Sequence, residues 1–345
     1  MAATDTRANA SKDAPLVSIV VLNWNGEQAV RTCLLSLCRL DYPAFEIIFV
    51  DNGSQDNSVS VAREIAGGAG RELVLVENRE NLGYNRGKNA GAARASGKYL
   101  WLLDNDIEAE PDALRTLVDH MERHPRLGLC GPLLRNRMAG DAPEGSGMLF
   151  LPGGAPFEIQ KVRRGFAGAE PVLVGTVLGG TALVRRDVWE YIGGYEPSSV
   201  FSMNDVDLGP RVWCAGWAVA MVPGAVVYHH AFTRASKQKI RWRFTHYAPG
   251  VVRGMLRNFR LGNLLLALPL FFGLLLLKTA KRAVACRDPL FPFFLVPALY
   301  NTARQLPASL GQRRQVQALR RVPEDRFLHP ERYAHILEET DEQLR

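Results

Sequence analysis

The chain has 345 residues, of which 47% are hydrophobic and 22% are charged, so it can form one large or two ordinary folded domains. This composition excludes an intrinsically disordered chain. The net charge of +7 is unevenly distributed, because residues 237–321 contain 16 lysines and arginines but a single acid, Asp288. The rest of the sequence is net acidic, so the C-terminal region has a character of its own.

The cysteines and the N-terminus indicate a reducing, cytoplasmic compartment. The five cysteines are odd in number, and they show neither a CxxC pair nor a spacing with histidine that suggests zinc. We therefore expect reduced thiols. Residues 1–15 are polar and lack an apolar stretch, which predicts a disordered tail and no secretory signal.

Residues 16–110 repeat a short apolar run, a polar turn and an amphipathic stretch, the pattern of a parallel sheet with crossover helices. Three helices are predicted between four strands, which are LVSIVVL, FEIIFV, ELVLVE and KYLWLL. Residues rich in Asn, Asp and Gly follow each strand. Because ligands bind at the carboxyl edge of such sheets, we predict a binding site there.

Residues 111–236 are predicted to form the second half of the same domain and to shape the acceptor site. A helix in PDALRTLVDHMERH is followed by an irregular segment, rich in loops, over residues 130–177. Order returns in GGTALVRRDVWEYIGGY. A helix then begins near Asn204, and a strand ends at the pair His229 and His230.

Residues 237–345 form a basic region with two apolar runs, LGNLLLALPLFFGLLLL and PLFPFFLVPALY. Neither run reaches the roughly 20 residues of a membrane-spanning helix, and prolines interrupt both. Both flanks are positive, which favours helices that lie on or re-enter one leaflet of an anionic membrane. The alternative is a buried helical subdomain of a soluble protein. The interleaved Leu and Phe residues argue against nucleic-acid binding.

Three carboxylates follow predicted strands at one edge of the sheet. Asp51 could accept hydrogen bonds from a nucleobase or a ribose, although an Asx-turn explains it equally well. Asp104 and Asp106 form a D-x-D pair. Such carboxylates repel each other and lose hydration near a core, so Mg²⁺ or Mn²⁺ would compensate them. A helix cap would account for one of these acids but not for both.

A second group of candidate residues lies between residues 204 and 230. Asp205 and Asp207 lie at the start of a predicted helix, whose dipole favours the ionised form that a general base requires. Helix capping is the alternative for both. His229 or His230 could offer a neutral imidazole to a cation, and a structural role is the alternative.

Seven segments together resemble the family 2 glycosyltransferases in their order and spacing. They are VSIVVLNWN, VDNGSQDNS, NLGYNRGKNAG, LLDNDIE, GGTALVRRDVWEYIGGY, NDVDLGPRVWCAGW and VVYHH. The resemblance covers residues 17–236 and is greatest to the rhamnosyltransferase-like branch that acts on bacterial surface polysaccharides. The basic and apolar C-terminal region is loosely similar to the membrane-associated tails of that branch.

The resemblance implies a GT-A fold, which is Rossmann-like with a mostly parallel sheet and flanking helices. It also implies inversion at the anomeric carbon, an NDP-sugar donor such as dTDP-rhamnose, and a saccharide or lipid-linked saccharide acceptor. The general base falls on Asp205, and the metal ligands fall on Asp106 and His229, with Asp104 contacting ribose or metal. The donor-binding residues fall on Asn23, Asp51, Asn81, Gly83, Arg86, Asn89 and Asp104. The family usually has Glu before the base, and here that residue is Asn204.

The predicted function is therefore metal-dependent sugar transfer at the inner face of the cell membrane. Two alternatives remain. A nucleotidyltransferase would need a phosphate loop rich in glycine and lysine near the first strand, and NWNGEQ is not such a loop. The other alternative is a catalytically inactive membrane-bound protein that binds nucleotide sugars. Asn204 gives it slight support, whereas the site residues that are intact argue against it, namely Asp104, Asp106, Asp205 and His229. No nucleic-acid partner is expected.

Overall fold

The structure is a computed structural model that describes residues 14–144, 147–150, 160–161, 170–197, 204–230, 237–287, 295–323 and 325–339. The predicted disordered tail lies almost wholly outside these residues, as does much of the irregular segment after residue 144. Four cysteines are free thiols, as predicted, and the side chain of Cys286 is outside the described set.

The first half of the chain forms the predicted parallel sheet with crossover helices. Its elements are β1 (Val17–Asn23), α1 (Glu27–Cys38), β2 (Phe45–Asp51), α2 (Ser58–Gly68), β3 (Leu73–Glu77), α3 (Tyr84–Ala92) and β4 (Tyr99–Asp104). The strands lie in the order β4-β1-β2-β3, and every pair among them is parallel. All of β1 is buried, which explains its continuous apolar sequence.

The second half of the chain extends this sheet with mixed rather than parallel pairing. Its elements are β5 (Ile107–Ala109), α4 (Ala113–Arg123), β6 (Leu127–Asn136), a 3₁₀ helix (Arg137–Ala139), β7 (Ala142–Pro143), β8 (Gly147–Leu149), β9 (Gln160–Lys161), β10 (Val172–Leu173), β11 (Thr176–Val177), β12 (Thr181–Arg185), α5 (Arg186–Ile192), α6 (Asn204–Cys214) and β13 (Ala218–His229). The sheet order is β10-β13-β6-β12-β4-β1-β2-β3, with β5 on β13 and β7 on β6. Strand β12 is antiparallel to both β4 and β6, so the mostly parallel arrangement is limited to the first half.

Helix α3 lies very close to the sheet, which fixes the direction in which it leaves the polar edge. A Cβ atom on Gly91 would overlap the side chains of Val20 on β1 and Val50 on β2. Only glycine permits this approach. The first turn of α3 therefore begins directly above the carboxyl ends of those strands.

The described part of the C-terminal region forms three long helices, followed by two 3₁₀ helices. They are α7 (Lys237–Asn258), α8 (Leu261–Cys286), α9 (Leu295–Ala318), Arg326–Leu328 and Pro330–Glu338. The hydrophobic core includes Val206 of α6, Met255 and Phe259 at the end of α7, and Phe327 beyond α9. The described part of residues 237–339 thus shares one core with the sheet, whereas the sequence suggested a separate membrane-associated region.

Buried ion pairs tie α7 to the preceding part of the chain. Arg257 Nη1 lies 3.3 Å from Asp207 Oδ1, and Arg253 Nη1 lies 3.2 Å from Glu196 Oε2. The four side chains are at most 11% exposed. Removing one partner from such a pair leaves a buried charge without compensation and costs roughly 3–5 kcal/mol.

Helix α8 is long and apolar, and much of its surface is exposed. It continues through Pro269 for 26 residues, and Leu261–Lys281 is long and apolar enough to cross a membrane, with a mean hydropathy of 2.0. The prediction that this run is too short is therefore wrong, because the proline does not end the helix. Leu265, Leu266 and Leu277 are between 52% and 69% exposed.

Candidate active site

A cavity of about 850 Å³ opens at the carboxyl edge of β1, β2 and β4. This volume suits a small-molecule ligand. Its walls come from the ends of these strands and from the loop between β3 and α3. The lining residues are Leu22, Asn23, Trp24, Asn52, Glu80, Asn81, Leu82, Gly83, Tyr84, Arg86, Asp104, Asn105, Asp106 and Pro197.

Asp51 lies behind the wall of the cavity, where it positions Asn23. The carboxylate is 5% exposed, and it accepts hydrogen bonds from Asn23 Nδ2 at 3.1 Å and from the Ser54 backbone N–H at 2.9 Å. Asn105 Nδ2 donates to Asn23 Oδ1 at 2.6 Å. The bond between Asp51 and the Ser54 N–H therefore closes a turn after β2. Of Asp51 and Asn23, only Asn23 lines the cavity.

The loop before α3 is held by Asn81 and aims the start of that helix at the cavity. Asn81 Oδ1 accepts hydrogen bonds from Gly83 N at 2.8 Å and from Asn52 Nδ2 at 2.9 Å. Gly83 has φ 82°, immediately before the first residue of α3. The N-terminus of a helix carries a partial positive charge and free N–H groups, so this end, together with Arg86, suits an anionic ligand.

Asn89, also predicted to bind the donor, does not line the cavity. Its Nδ2 donates to the Tyr195 carbonyl at 2.7 Å, and its Oδ1 accepts the Tyr195 N–H at 3.0 Å. Both ends of the amide are thus used to hold the segment after α5 against α3.

Asp104 is paired with a buried lysine. Lys88 Nζ lies 3.1 Å from Asp104 Oδ1 and also donates to the Leu103 carbonyl, while the lysine side chain is fully buried. Burial lowers the pKa of Lys88, and the Asp104 charge opposes that shift. A buried ammonium group requires such a partner, so the lysine also fixes the orientation of Asp104.

Asp106 is paired with His229, and a second carboxylate orients that histidine. Strand β5 pairs with β13, which places His229 opposite Ile107. His229 Nε2 lies 3.2 Å from Asp106 Oδ2, and Nδ1 lies 2.9 Å from Glu144 Oε2. The hydrogen bond with Asp106 raises the pKa of His229 to about 9, although burial opposes the shift.

His230 points to different partners from His229. Its Nε2 lies 2.7 Å from Glu108 Oε2, a carboxylate that Arg137 also contacts at 3.3 Å. Of the two histidines, His229 is therefore the one beside the D-x-D pair.

The D-x-D acids are not an uncompensated pair, as the sequence argument supposed, because Lys88 and His229 neutralise them. The fit to a divalent cation rests instead on the donor set. A carboxylate oxygen of Asp106 and an imidazole nitrogen of His229 face each other, and Glu144 holds the other nitrogen of that ring. An outer carboxylate on a ligating histidine is typical of metal sites.

Asp104 and Asp205 lie on either side of the turn formed by Gly179 and Gly180. A Cβ atom on Gly180 would point directly onto Asp104 Oδ2, and a Cβ atom on Gly179 would lie 3.5 Å from Asp205 Oδ1. Burial raises the pKa of Asp205 to about 6, and the nearby charge of Asp104 adds to the shift. The turn thus lies between Asp104, which lines the cavity, and Asp205, whose raised pKa suits it to accept a proton.

The sequence of the chain matches a family model over about half of its length. The model of Glycosyl transferase family 2 covers residues 18–192. The chain belongs to this family. The nucleotidyltransferase alternative is thereby rejected, and the chain is a glycosyltransferase.

Three known proteins show what this glycosyltransferase is similar to. The N-acetylglucosaminyl-diphospho-decaprenol L-rhamnosyltransferase of Mycobacterium tuberculosis is 28% identical over 239 residues, which cover 62% of this chain and 76% of that protein. The mannosyltransferase of Pyrobaculum calidifontis in complex with GDP-Man and Mn²⁺ has a TM-score of 0.54 at 17% identity, covering 97% and 94% of the two chains. Staphylococcus aureus TarS in complex with UDP-GlcNAc has a TM-score of 0.55 at 13% identity, covering 92% and 91%. These structural matches confirm the GT-A fold.

Several residues of this glycosyltransferase's site were missed by sequence reasoning. Lys88 lies within the motif NRGKNAG, and Gly179 and Gly180 begin the motif GGTALV. Neither motif indicates which side chains these residues contact. Glu144 lies in the irregular segment and gives no periodic signal. Trp24, 55% exposed at the cavity, is conspicuous as an aromatic residue in a polar loop.

Proposed function

We propose that this glycosyltransferase moves a sugar, with inversion, from an NDP-sugar to a saccharide or lipid-linked saccharide acceptor in surface polysaccharide synthesis. The position of Asp104 in the cavity wall, with Asp205 across the Gly179–Gly180 turn from it, carries the proposal. The similarity to the mycobacterial rhamnosyltransferase makes dTDP-rhamnose the first donor to test and a lipid-linked saccharide the first acceptor.

In this proposal the donor occupies the cavity with its diphosphate near the start of α3. Arg86 and the N-terminus of α3 supply positive potential to the diphosphate. Asn23 and Asn81 border the nucleoside, with Asp51 acting through Asn23. Asp104 contacts the ribose or the metal.

A divalent cation would be held by Asp106 and His229, with Mn²⁺ or Mg²⁺ as the ions to test. When bound, such a cation neutralises the charge that develops on the leaving diphosphate. A bound cation needs the neutral form of His229, so it would replace the proton that Asp106 and Glu144 now favour on that ring.

Asp205 supplies the base for the displacement. The acceptor hydroxyl loses its proton to the Asp205 carboxylate while its oxygen forms a bond to the anomeric carbon. The bond between that carbon and the diphosphate oxygen breaks, and its electron pair leaves with the nucleoside diphosphate. A carboxylate with a raised pKa is a stronger base than an exposed one, and general-base catalysis contributes about 10²- to 10⁴-fold.

Calorimetric titration of the full-length protein with a panel of NDP-sugars, with and without Mn²⁺, tests the donor assignment. We expect one nucleotide sugar to bind tightly with Mn²⁺ and much more weakly after chelation. Asp106→Ala should weaken this binding, whereas Asp187→Ala, an exposed acid on α5, should not. Donor binding that is unaffected by chelator would overturn the metal assignment. Binding without product formation from any saccharide acceptor would favour the inactive binding protein.

We also propose that the glycosyltransferase associates with the inner face of the cell membrane through α8 and α9. Besides the exposed leucines on α8, helix α9 exposes Leu299 and Leu310, which are 46% and 47% exposed. Each lysine or arginine near an anionic leaflet adds about 1 kcal/mol, and the leucines add apolar burial.

Sedimentation with anionic liposomes tests this association. We expect the protein to sediment at low salt and high salt to release only part of it, because apolar burial is not screened. Replacing Leu265, Leu266 and Leu277 by glutamine should leave the protein in the supernatant, whereas Leu35→Gln, an exposed leucine on α1, should not. Wild-type protein that stays in the supernatant at low salt would favour the alternative of a soluble helical subdomain.

A further inference from the structure

Two histidines and a glutamate meet at the C-terminal end of α4, away from the cavity. His120 and His124 are one helical turn apart, and their rings are stacked with centroids 6.1 Å apart and planes 6° from parallel. Glu170 lies just before β10. One nitrogen of each ring and one carboxylate oxygen of Glu170 all lie within 4.8 Å of one another.

Each imidazole ring has one buried nitrogen without a hydrogen-bond partner among the described residues. These atoms are Nδ1 of His120, whose side chain is 2% exposed, and Nε2 of His124. His124 Nδ1 lies 2.8 Å from the Leu337 carbonyl, so Nδ1 carries the proton and Nε2 presents a lone pair. Leaving a buried polar atom unsatisfied costs roughly 1–3 kcal/mol, so one such atom in each of two neighbouring rings indicates a missing ligand.

The protonation of His120 is compatible with this role. Burial lowers the pKa of His120 and Arg123 lowers it further, although Glu170 opposes the shift. Arg123 Nη2 lies 3.4 Å from Nε2, the other nitrogen of the ring. If Nδ1 is the ligand, Nε2 carries the proton, so metal binding would require the exposed Arg123 side chain to give up this contact.

We propose that His120, His124 and Glu170 bind a divalent transition-metal ion of the Zn²⁺ class, at a site separate from the donor cavity. Two imidazoles and a carboxylate suit Zn²⁺, which accepts three protein ligands and a water in a tetrahedral arrangement. The site at Asp106 and His229 faces the cavity, whereas this one does not contribute to the cavity lining. The inference does not depend on the proposed function.

The position of the site indicates a structural role. Strand β6 is antiparallel to β12, which is antiparallel to β4, so the start of β6 at Leu127 lies at the sheet edge opposite the cavity. His124 contacts the Leu337 carbonyl, and Arg126 Nε lies 2.7 Å from Glu339 Oε2. A metal here would therefore link α4, the segment before β10 and, through His124, the C-terminal 3₁₀ helix.

Metal titration of full-length protein carrying Asp106→Ala tests the proposal, because that substitution removes a ligand of the donor-site metal. After treatment with chelator, we expect one Zn²⁺ per chain by calorimetry and a melting temperature that rises with Zn²⁺ concentration. Co²⁺ should give the intense visible absorption bands of a tetrahedral site.

Variants on the same Asp106→Ala background identify the ligands. Glu170 is exposed, so Glu170→Gln should leave the melting temperature in chelator unchanged while weakening Zn²⁺ binding by at least the roughly 10- to 100-fold that loss of an outer-shell partner costs. His120→Gln should abolish the Co²⁺ bands. His329→Gln, which replaces a histidine outside the cluster, should bind Zn²⁺ normally. No saturable Zn²⁺ binding, or binding that Glu170→Gln leaves unchanged, would overturn the proposal.

Discussion

Asp205 and Asp207 have the same sequence context at the start of α6, yet their surroundings give them different chemistry. The Asp207 carboxylate is contacted by Arg211 at 2.8 Å, by Arg257 at 3.3 Å and by Asn258 at 3.1 Å. Burial alone would raise the pKa of Asp207, but these partners outweigh it and lower that pKa. Burial instead raises the pKa of Asp205, and the charge of Asp104 adds to the shift. These contacts favour a structural role for Asp207 over that of a base.

Replacing each acid by its amide separates these roles. Asp205→Asn should keep donor affinity and cause no loss of stability, but it should lower turnover at least about 100-fold, the scale of a general base. Asp207→Asn should lower the free energy of unfolding by roughly 3–5 kcal/mol, because two arginines lose a buried counter-charge. Turnover assays and urea unfolding of both variants measure the contrast. Near-normal turnover in Asp205→Asn would place the base elsewhere.

The raised pKa of Asp205 also predicts a pH dependence. Only the ionised carboxylate accepts a proton, so turnover at saturating donor should fall as the pH drops below about 6. The folded state holds the Asp205 proton more tightly than the unfolded state does. Ionised Asp205 therefore costs stability as pH rises from 3.8 to about 6, and Asp205→Asn should remove that cost. Turnover that is flat through pH 6 would contradict the assignment.

At the scale of an element, the turn between β11 and β12 determines where Asp104 can lie. Asp104 N donates to the Gly180 carbonyl at 3.0 Å, which links the end of β4 to this turn. Lys88 on α3 holds the carboxylate from the other side. Asp104 is thus confined between a glycine turn and a buried lysine, a confinement that its own strand does not provide.

Gly180→Ala tests this confinement. The added methyl group would point directly onto Asp104 Oδ2, so the carboxylate must leave its position beside the turn. We expect turnover to fall by about 10-fold or more, because a shift of about 1 Å at a reacting site can cost 100-fold. Gly68→Ala on α2, where an added methyl group meets no atom within 4 Å, is the matched control and should leave turnover unchanged. Steady-state kinetics compare the two, and equal turnover in both would show that Asp104 is not confined by the turn.

At the scale of the whole molecule, one part of the C-terminal region completes the core and another exposes an apolar surface, a division that its composition does not show. Helix α7 and the last 3₁₀ helices complete the core, with the rings of Phe259 and Phe327 5.1 Å apart. Helix α8 instead exposes most of its leucines. Removing the whole region therefore removes part of the core together with the surface proposed to bind membrane.

Truncation after Gly250 tests this division. The sequence suggested that it would yield a more soluble catalytic domain. The structure predicts aggregation or loss of cooperative unfolding, because Arg253, Arg257 and Phe259 are removed from buried contacts with the catalytic half. Thermal unfolding followed by circular dichroism compares the truncated protein with full-length protein that carries the three leucine substitutions on α8. A truncated protein that melts cooperatively at the same temperature would show an independent catalytic domain.

Much of the first half of the chain was predictable because its signals are local. Apolar runs, turns and amphipathic stretches follow one another at short range, so β1–β4 and α1–α3 could be read from periodicity alone. The carboxyl edge of a parallel sheet then indicated where Asn23, Asn81 and Asp104 would meet. The family resemblance only chose Asp205 over Asp207 and His229 over His230, since local signals had already indicated both pairs.

The sequence by itself determined the α/β architecture of the first half, the sheet edge that carries the cavity and the family to which the chain belongs. Only the tertiary structure decided which partner each charged group has: Lys88 for Asp104, Glu144 for His229, and Arg257 for Asp207. It also brought Glu170 to His120 and His124. These pairs join residues distant in sequence, and the electrostatic energy of a charge depends on the atoms packed around it, which local periodicity does not encode.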